Sequence, residues 1–203
     1  MEAILAASAD HRTRLFDIID RQAGYFTAGQ AKKAGYSYPN QSYHRKQGHW
    51  LDQGWGIFRL RDYPRSEYEP YVRLCLWSRA KTGEPQAVVS HDTALALHEL
   101  SDVMPAKTHL SVPKGFRKVP PKGVVLHKSQ LAAGDSEPRH GFRVTTPLRT
   151  LLDVAASPTS PEHLAGAVRE ALERGLVRRG KLLEALDAAP EGIRRRFGYA
   201  GFP

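Results

Sequence analysis

Residues 24–60 read GYFTAGQ AKKAGYSYPN QSYHRKQGHW LDQGWGIFRL, and the order of signals in this stretch decides the fold of the N-terminal part. Thr27 caps a short helix over Ala28–Ala34, which Gly35 stops. Pro39 opens the next helix, about Asn40–His49, which ends near Gly48. Trp50 to Leu60 then reads as strand residues around a glycine turn. Gly54 and Gly56 suit a tight hairpin, with Trp55, Ile57 and Phe58 in its strands. Upstream, Leu15, Phe16, Ile18 and Ile19 recur at helical spacing, which predicts an amphipathic helix over Asp10–Gln22, capped by Asp10 and ended by Ala23-Gly24. Pro64 closes the unit.

Helix, short helix, turn, helix, hairpin is the order of a winged helix-turn-helix. Its third helix carries an almost unbroken polar run, Asn40, Gln41, Ser42, Tyr43, His44, Arg45, Lys46 and Gln47. Base edges are read by Asn, Gln, Arg and Lys, while Ser and Lys hold phosphates, so a helix of this composition suits a DNA groove. A solvated surface helix would show the same run. Arg59 and Arg61 at the end of the hairpin suit a wing laid on the phosphate backbone; arginines there would also guard an edge strand against aggregation.

The remainder predicts one α+β domain. A helix is expected over Ser66–Ala80, with Cys75 in the core. A short strand follows Pro85–Val89. Ser90 or Asp92 caps a helix through Leu100. Strands are expected at Thr108–Val112, Gly123–His127 and Gly141–Thr145. Helices are expected over Pro147–Ala156, Pro161–Arg174 and Gly180–Ala189. Thr146 can cap the first of these, and Asp153 faces Arg149 one turn away. The loop Pro113–Lys122 carries Lys114, Arg117, Lys118 and Lys122 with no acid, as a second basic face or as a solvated hairpin loop. Ile193–Pro203, with Phe197, Tyr199 and Phe202, reads as a docking tail.

The chain has 203 residues, with 30 Lys and Arg against 21 Asp and Glu, a net charge of +9. That excess favours a polyanionic partner. Residues 1–70 carry only +2 of it and residues 71–150 carry +6. No apolar run reaches the length of a membrane span, and the N-terminus lacks the pattern of a secretory signal. One cysteine excludes a disulfide framework and a multi-cysteine metal site. These features point to the cytoplasm. His98-Glu99 with Asp102 imitates a zinc-protease motif but has Asp where the second His belongs. No phosphate-binding glycine loop, nucleophile elbow or nuclease carboxylate set is present, so no enzyme, metal or cofactor is expected.

Several segments together resemble the AbiEi family, the antitoxins of type IV toxin–antitoxin systems. They are Gly24–Ala31, Gly54–Leu60, Val89–Ser101, Thr108–Pro113 and Thr145–Asp153. The resemblance runs over most of the chain. It implies a winged helix-turn-helix over residues 1–64 that binds an inverted-repeat operator in duplex DNA and represses its own operon. It implies an α+β antitoxin domain with C-terminal helices over residues 65–203 that counters a nucleotidyltransferase toxin, with no stable complex required. Some relatives carry an added endonuclease-like domain, for which this chain has no room. The family's DNA contacts carry over to Gln41, Ser42, Tyr43, Arg45, Lys46, Arg59 and Arg61; His44 shares their helix. A module that binds and blocks a toxin directly, or an orphan regulator, is the alternative.

Overall fold

The computed structural model describes residues 2–100, 102 and 104–201. Its contacts divide the chain into two compact units, Met1–Ala87 with Pro138–Phe142, and Val88–Glu137 with Arg143–Pro203.

The first unit runs α1 (Glu2–Asp20), β1 (Tyr25–Thr27), α2 (Ala28–Lys33), α3 (Tyr38–Lys46), β2 (Trp50–Asp52), β3 (Ile57–Leu60) and α4 (Glu69–Trp77). The strands form an antiparallel sheet in the order β1-β3-β2, with Tyr25 opposite Arg59 and Trp50 opposite Leu60. This is the element order expected above, with one strand added. At three residues β1 is too short to show alternation in sequence. Leu15, Ile19, Phe26, Ala31, Ala34, Trp50 and Phe58 close the core. Phe26 meets the edge of Trp50 at 4.8 Å, an arrangement that suits aromatic quadrupoles.

Local chemistry explains the boundaries. The Thr27 hydroxyl accepts from the Gln30 amide, and the Gln30 side chain returns to the Thr27 amide at 2.8 Å, a complete capping box. Gly35 has φ +109°, and a Cβ there would run into the His11 ring, so the turn between α2 and α3 needs glycine. Two expectations shift. α1 begins at Glu2, so Asp10 is no cap but an interior residue paired with Arg14 at 2.5 Å. Trp55 lies in the hairpin turn, not a strand, at φ +53° between Gly54 and Gly56. The unit also continues past Pro64, because Glu69 of α4 bonds Arg59 of β3 at 3.0 Å and the Tyr25 hydroxyl at 3.1 Å.

The second unit centres on a five-stranded mixed sheet in the order β6-β5-β4-β8-β7. Its elements are β4 (Val88–Val89), α5 (His91–Leu97), β5 (Thr108–Val112), β6 (Val124–Lys128), a 3-10 turn at Ala133–Asp135, β7 (Ser136–Arg139) and β8 (Phe142–Thr145). Four helices follow: α6 (Pro147–Ala155), α7 (Pro161–Glu173), α8 (Arg179–Asp187) and α9 (Glu191–Tyr199). The fold class is α+β. β4 is antiparallel to β5 and parallel to β8. β5 and β6 are parallel, so the basic loop between them is a crossover and not a hairpin loop. The helices pack around Leu95, Leu151, Val154, Leu164, Val168, Leu182 and Phe197. The expected docking tail is therefore largely α9, with Phe197 fully buried. Tyr199 is exposed, and Phe202 and Pro203 lie outside the described residues. Among the described residues no helix is long and apolar enough to cross a membrane.

Candidate nucleic-acid interface

α3 turns two kinds of side chain to two environments. Gln41 is buried, and its amide nitrogen donates to the carbonyls of Tyr36 at 2.9 Å and Ala28 at 3.1 Å. It holds the helix against the preceding turn, with its amide nitrogen committed to those carbonyls. His44 stacks on Trp50 at 4.8 Å; burial first, then the neighbouring His49, pushes its pKa below the usual imidazole value. Arg45 is half exposed but bonds Asp52 of β2 at 2.7 Å and lies over the Phe58 ring. Asn40, Ser42, Tyr43, Lys46 and Gln47 point outward. These five, not the whole run, form the available face.

The hairpin arginines part company. Arg61 is exposed, with its guanidinium packed over Gly48 at the end of α3. Arg59 is 1% exposed. Its guanidinium bonds Glu69 and the carbonyls of Leu60, Arg61, Tyr63 and Pro64. A cation so enclosed cannot reach a phosphate, so Arg59 is a structural residue and not a wing contact. The desolvation that would cost a lone buried charge several kcal/mol is met by the carboxylate and the ring of carbonyls. Burial alone would raise the Glu69 pKa, but Arg65, Arg59 and Tyr25 together hold it below the usual carboxylate range.

Lys114, Arg117, Lys118 and Lys122 are all exposed on the crossover loop. Buried Phe116 pins that loop in place. One groove of this unit is acidic: its volume of about 510 Å³ is lined by Glu99, Asp102, Glu162, Glu170 and Glu173, with Arg169 and His163 among them.

The zinc-like triplet does not assemble. His98 is buried and its Nε2–H donates to the Thr145 carbonyl at 2.7 Å, whereas Glu99 is exposed beside Arg174. Among the described residues no group of three or more ligating side chains is placed to hold a metal ion.

Sequence reasoning missed a buried polar network in this unit. His91 stacks on His127 at 3.5 Å, and His127 meets His109 at 3.0 Å. The Ser90 hydroxyl lies 2.9 Å from His91, and Ser111 donates to Ser90. Burial, then His127, His109 and Arg149, brings the His91 pKa down to about 3. The signal was the parallel register that sets Ser111 opposite His127, which sequence alone does not reveal. Beside it Arg149 bonds Asp153 at 2.8 Å, Asp135 at 3.1 Å and Ser129 at 3.0 Å. Asp153 is pushed up to about 6 by burial, against the pull of Arg149, and its buried Oδ2 has no hydrogen-bond partner among the described residues.

The sequence model of the AbiEi antitoxin C-terminal domain matches residues 87–200. The chain belongs to the AbiEi antitoxin family. The match spans the second unit, so the AbiEi-like segments Val89–Leu100 and Thr145–Asp153 are β4–α5 and the end of β8 with α6. In them the polar residues His91, His98, Thr145, Thr150 and Asp153 are buried. No curated protein matches the sequence. Among solved structures, the chain is similar to the Rv2827c protein from Mycobacterium tuberculosis, with a TM-score of 0.57 and 16% identity. The likeness covers 95% of this chain and 78% of that one, so the shared fold extends into the first unit, beyond the AbiEi match.

Proposed function

We propose that this antitoxin-family chain is a DNA-binding repressor of its own operon, with the first unit as a winged helix-turn-helix and the second as the domain that counters a nucleotidyltransferase toxin. The outward face of α3 carries the reading: five polar side chains, free of the core, on a helix braced by a hairpin. Asn40 and Gln47 suit base edges, and Ser42, Tyr43 and Lys46 suit bases or phosphates. Arg45 and Arg61 stand at the rim of this face. The loop with Lys114, Arg117, Lys118 and Lys122 supplies a second phosphate-seeking surface. The partner is an inverted-repeat operator in duplex DNA, the compartment is the cytoplasm, and the action is non-enzymatic with no stable toxin complex required. The functional boundary falls near Ala87 and not at Pro64, because α4 completes the first unit.

The test is a salt series of binding to the duplex upstream of its own coding sequence, with wild type and Lys46→Ala. Losing one phosphate contact lowers the magnitude of the log–log slope by about 0.9. An unchanged affinity and slope removes Lys46 from the interface; no binding by wild type defeats the reading.

A further inference from the structure

A second cationic feature lies on the first unit, beside the start of α3. A cleft of about 580 Å³ runs between α2 and the turn over residues 79–84. Lys32 and Lys33 stand on one wall, Arg79 and Lys81 on the other, and Glu84 is the single acid lining it. Lys33 and Lys81 are exposed and form no ion pair among the described residues. Lys32 lies 5.3 Å over the ring of Tyr38, the first residue of α3. Arg79 is fixed by the carbonyls of Leu76 at 2.8 Å and Trp55 at 2.5 Å. The cleft therefore adjoins the hairpin turn, where the Trp55 indole is 47% exposed beneath Arg73.

Lysines in the last turn of α2 answer the helix dipole and need no ligand. Arg79 likewise meets the end of α4 through the Leu76 carbonyl, but Lys81 on the same wall has no such role. Their charge raises the potential in a groove that is otherwise almost free of carboxylates. Cations on two walls of one cleft suit a run of phosphates better than a single small anion. Such a site would add to the few cations the first unit otherwise offers a duplex. Arg45 is already paired with Asp52 and Arg59 is enclosed, so α3 and the hairpin offer a phosphate backbone chiefly Lys46 and Arg61.

We propose that this cleft holds the sugar-phosphate backbone of the DNA whose groove α3 enters, with Lys33 and Lys81 as phosphate contacts. The inference rests on the reading of α3, and its test separates the two. Full-length wild type, Lys33→Ala/Lys81→Ala and Asn40→Ala are titrated with the upstream duplex and with a shuffled duplex of equal length, across a salt series. Inorganic tripolyphosphate is titrated in parallel. The double variant weakens both duplexes by the same factor and lowers the log–log slope by about 1.8, two contacts' worth. Asn40→Ala weakens the upstream duplex alone. If the double variant keeps wild-type affinity and slope while Asn40→Ala still loses discrimination, the cleft is not a contact and the α3 reading survives. If wild type binds neither duplex, both fall. Tripolyphosphate binding that the double variant loses, with no duplex binding, would make the cleft a small-anion site and overturn the proposal.

Discussion

The polar residues of α3 and those of α5 and α6 look alike in sequence and live in opposite surroundings. On α3 they face solvent, apart from Gln41 and half-buried His44, while the core is made by neighbours such as Trp50 and Phe58. In the second unit the polar residues of the AbiEi-like segments turn inward: His91 to Ser90, His98 to the Thr145 carbonyl, Asp153 to Arg149. One set is free to meet a ligand. The other is consumed in holding β4, β5, β8 and the helices to one another. A distinctive polar motif thus marks a demanding fold in one unit and an open surface in the other, and only the hydrogen-bond partners tell them apart.

Removing buried partners should give the largest effects. Arg59→Ala leaves buried Glu69 with only the surface-exposed Arg65 as a cation and should destabilise the first unit by about 3–5 kcal/mol, read by denaturant unfolding. A variant of native stability that loses only DNA affinity would return Arg59 to the wing. The Glu69 carboxyl is held low in the folded state, so this pairing stabilises above the usual carboxylate range and is lost as pH falls through the folded value.

The histidine network sharpens the contrast through pH. His91 has a folded pKa of about 3 against an ordinary 6.5, so the unfolded chain takes up the proton first. Its stabilising effect is complete above pH 6.5 and fades as pH falls towards 3. Between pH 7 and 5 the loss is on the order of 2 kcal/mol, and His109 and His127, also lowered by burial, act in the same direction. Asp153 opposes them: with its folded value raised to about 6, it favours folding as pH falls through that value. Melting of the full chain should therefore fall from pH 7 to 5, more steeply in Asp153→Asn and less steeply in His91→Gln. Parallel profiles for all three would exclude the network as the cause.

Gln41→Ala tests the boundary within α3 itself. It leaves two half-buried carbonyls without their donor and should cost about 1–3 kcal/mol of stability, whereas Lys46→Ala should stay within about 0.5 kcal/mol of wild type. Equal stability for both would place Gln41 on the open face.

Much of this was legible before the structure, for particular reasons. Thr27, Gly35, Pro39 and the Gly54–Gly56 turn are punctuation whose meaning is local, so α2, α3 and the hairpin could be placed. Pro147 and Thr146 placed α6 in the same way. What could not be read was long-range. Arg59 looks like a wing arginine until Glu69, ten residues on, folds back onto it. The basic loop looks like a hairpin loop until β5 and β6 prove parallel. Phe197 looks like a docking residue until α9 packs into the core. Each miss turns on a partner that sequence spacing does not name.

The central claim is that the outward face of α3 reads DNA bases. The most direct measurement is the ratio of affinities for the upstream duplex and a shuffled duplex of equal length, in wild type and in Asn40→Ala/Gln47→Ala. A good base contact carries about 1–3 kcal/mol of discrimination. The account predicts a ratio well above one in wild type that falls at least tenfold in the variant, with stability unchanged. A ratio that the variant leaves intact would contradict it.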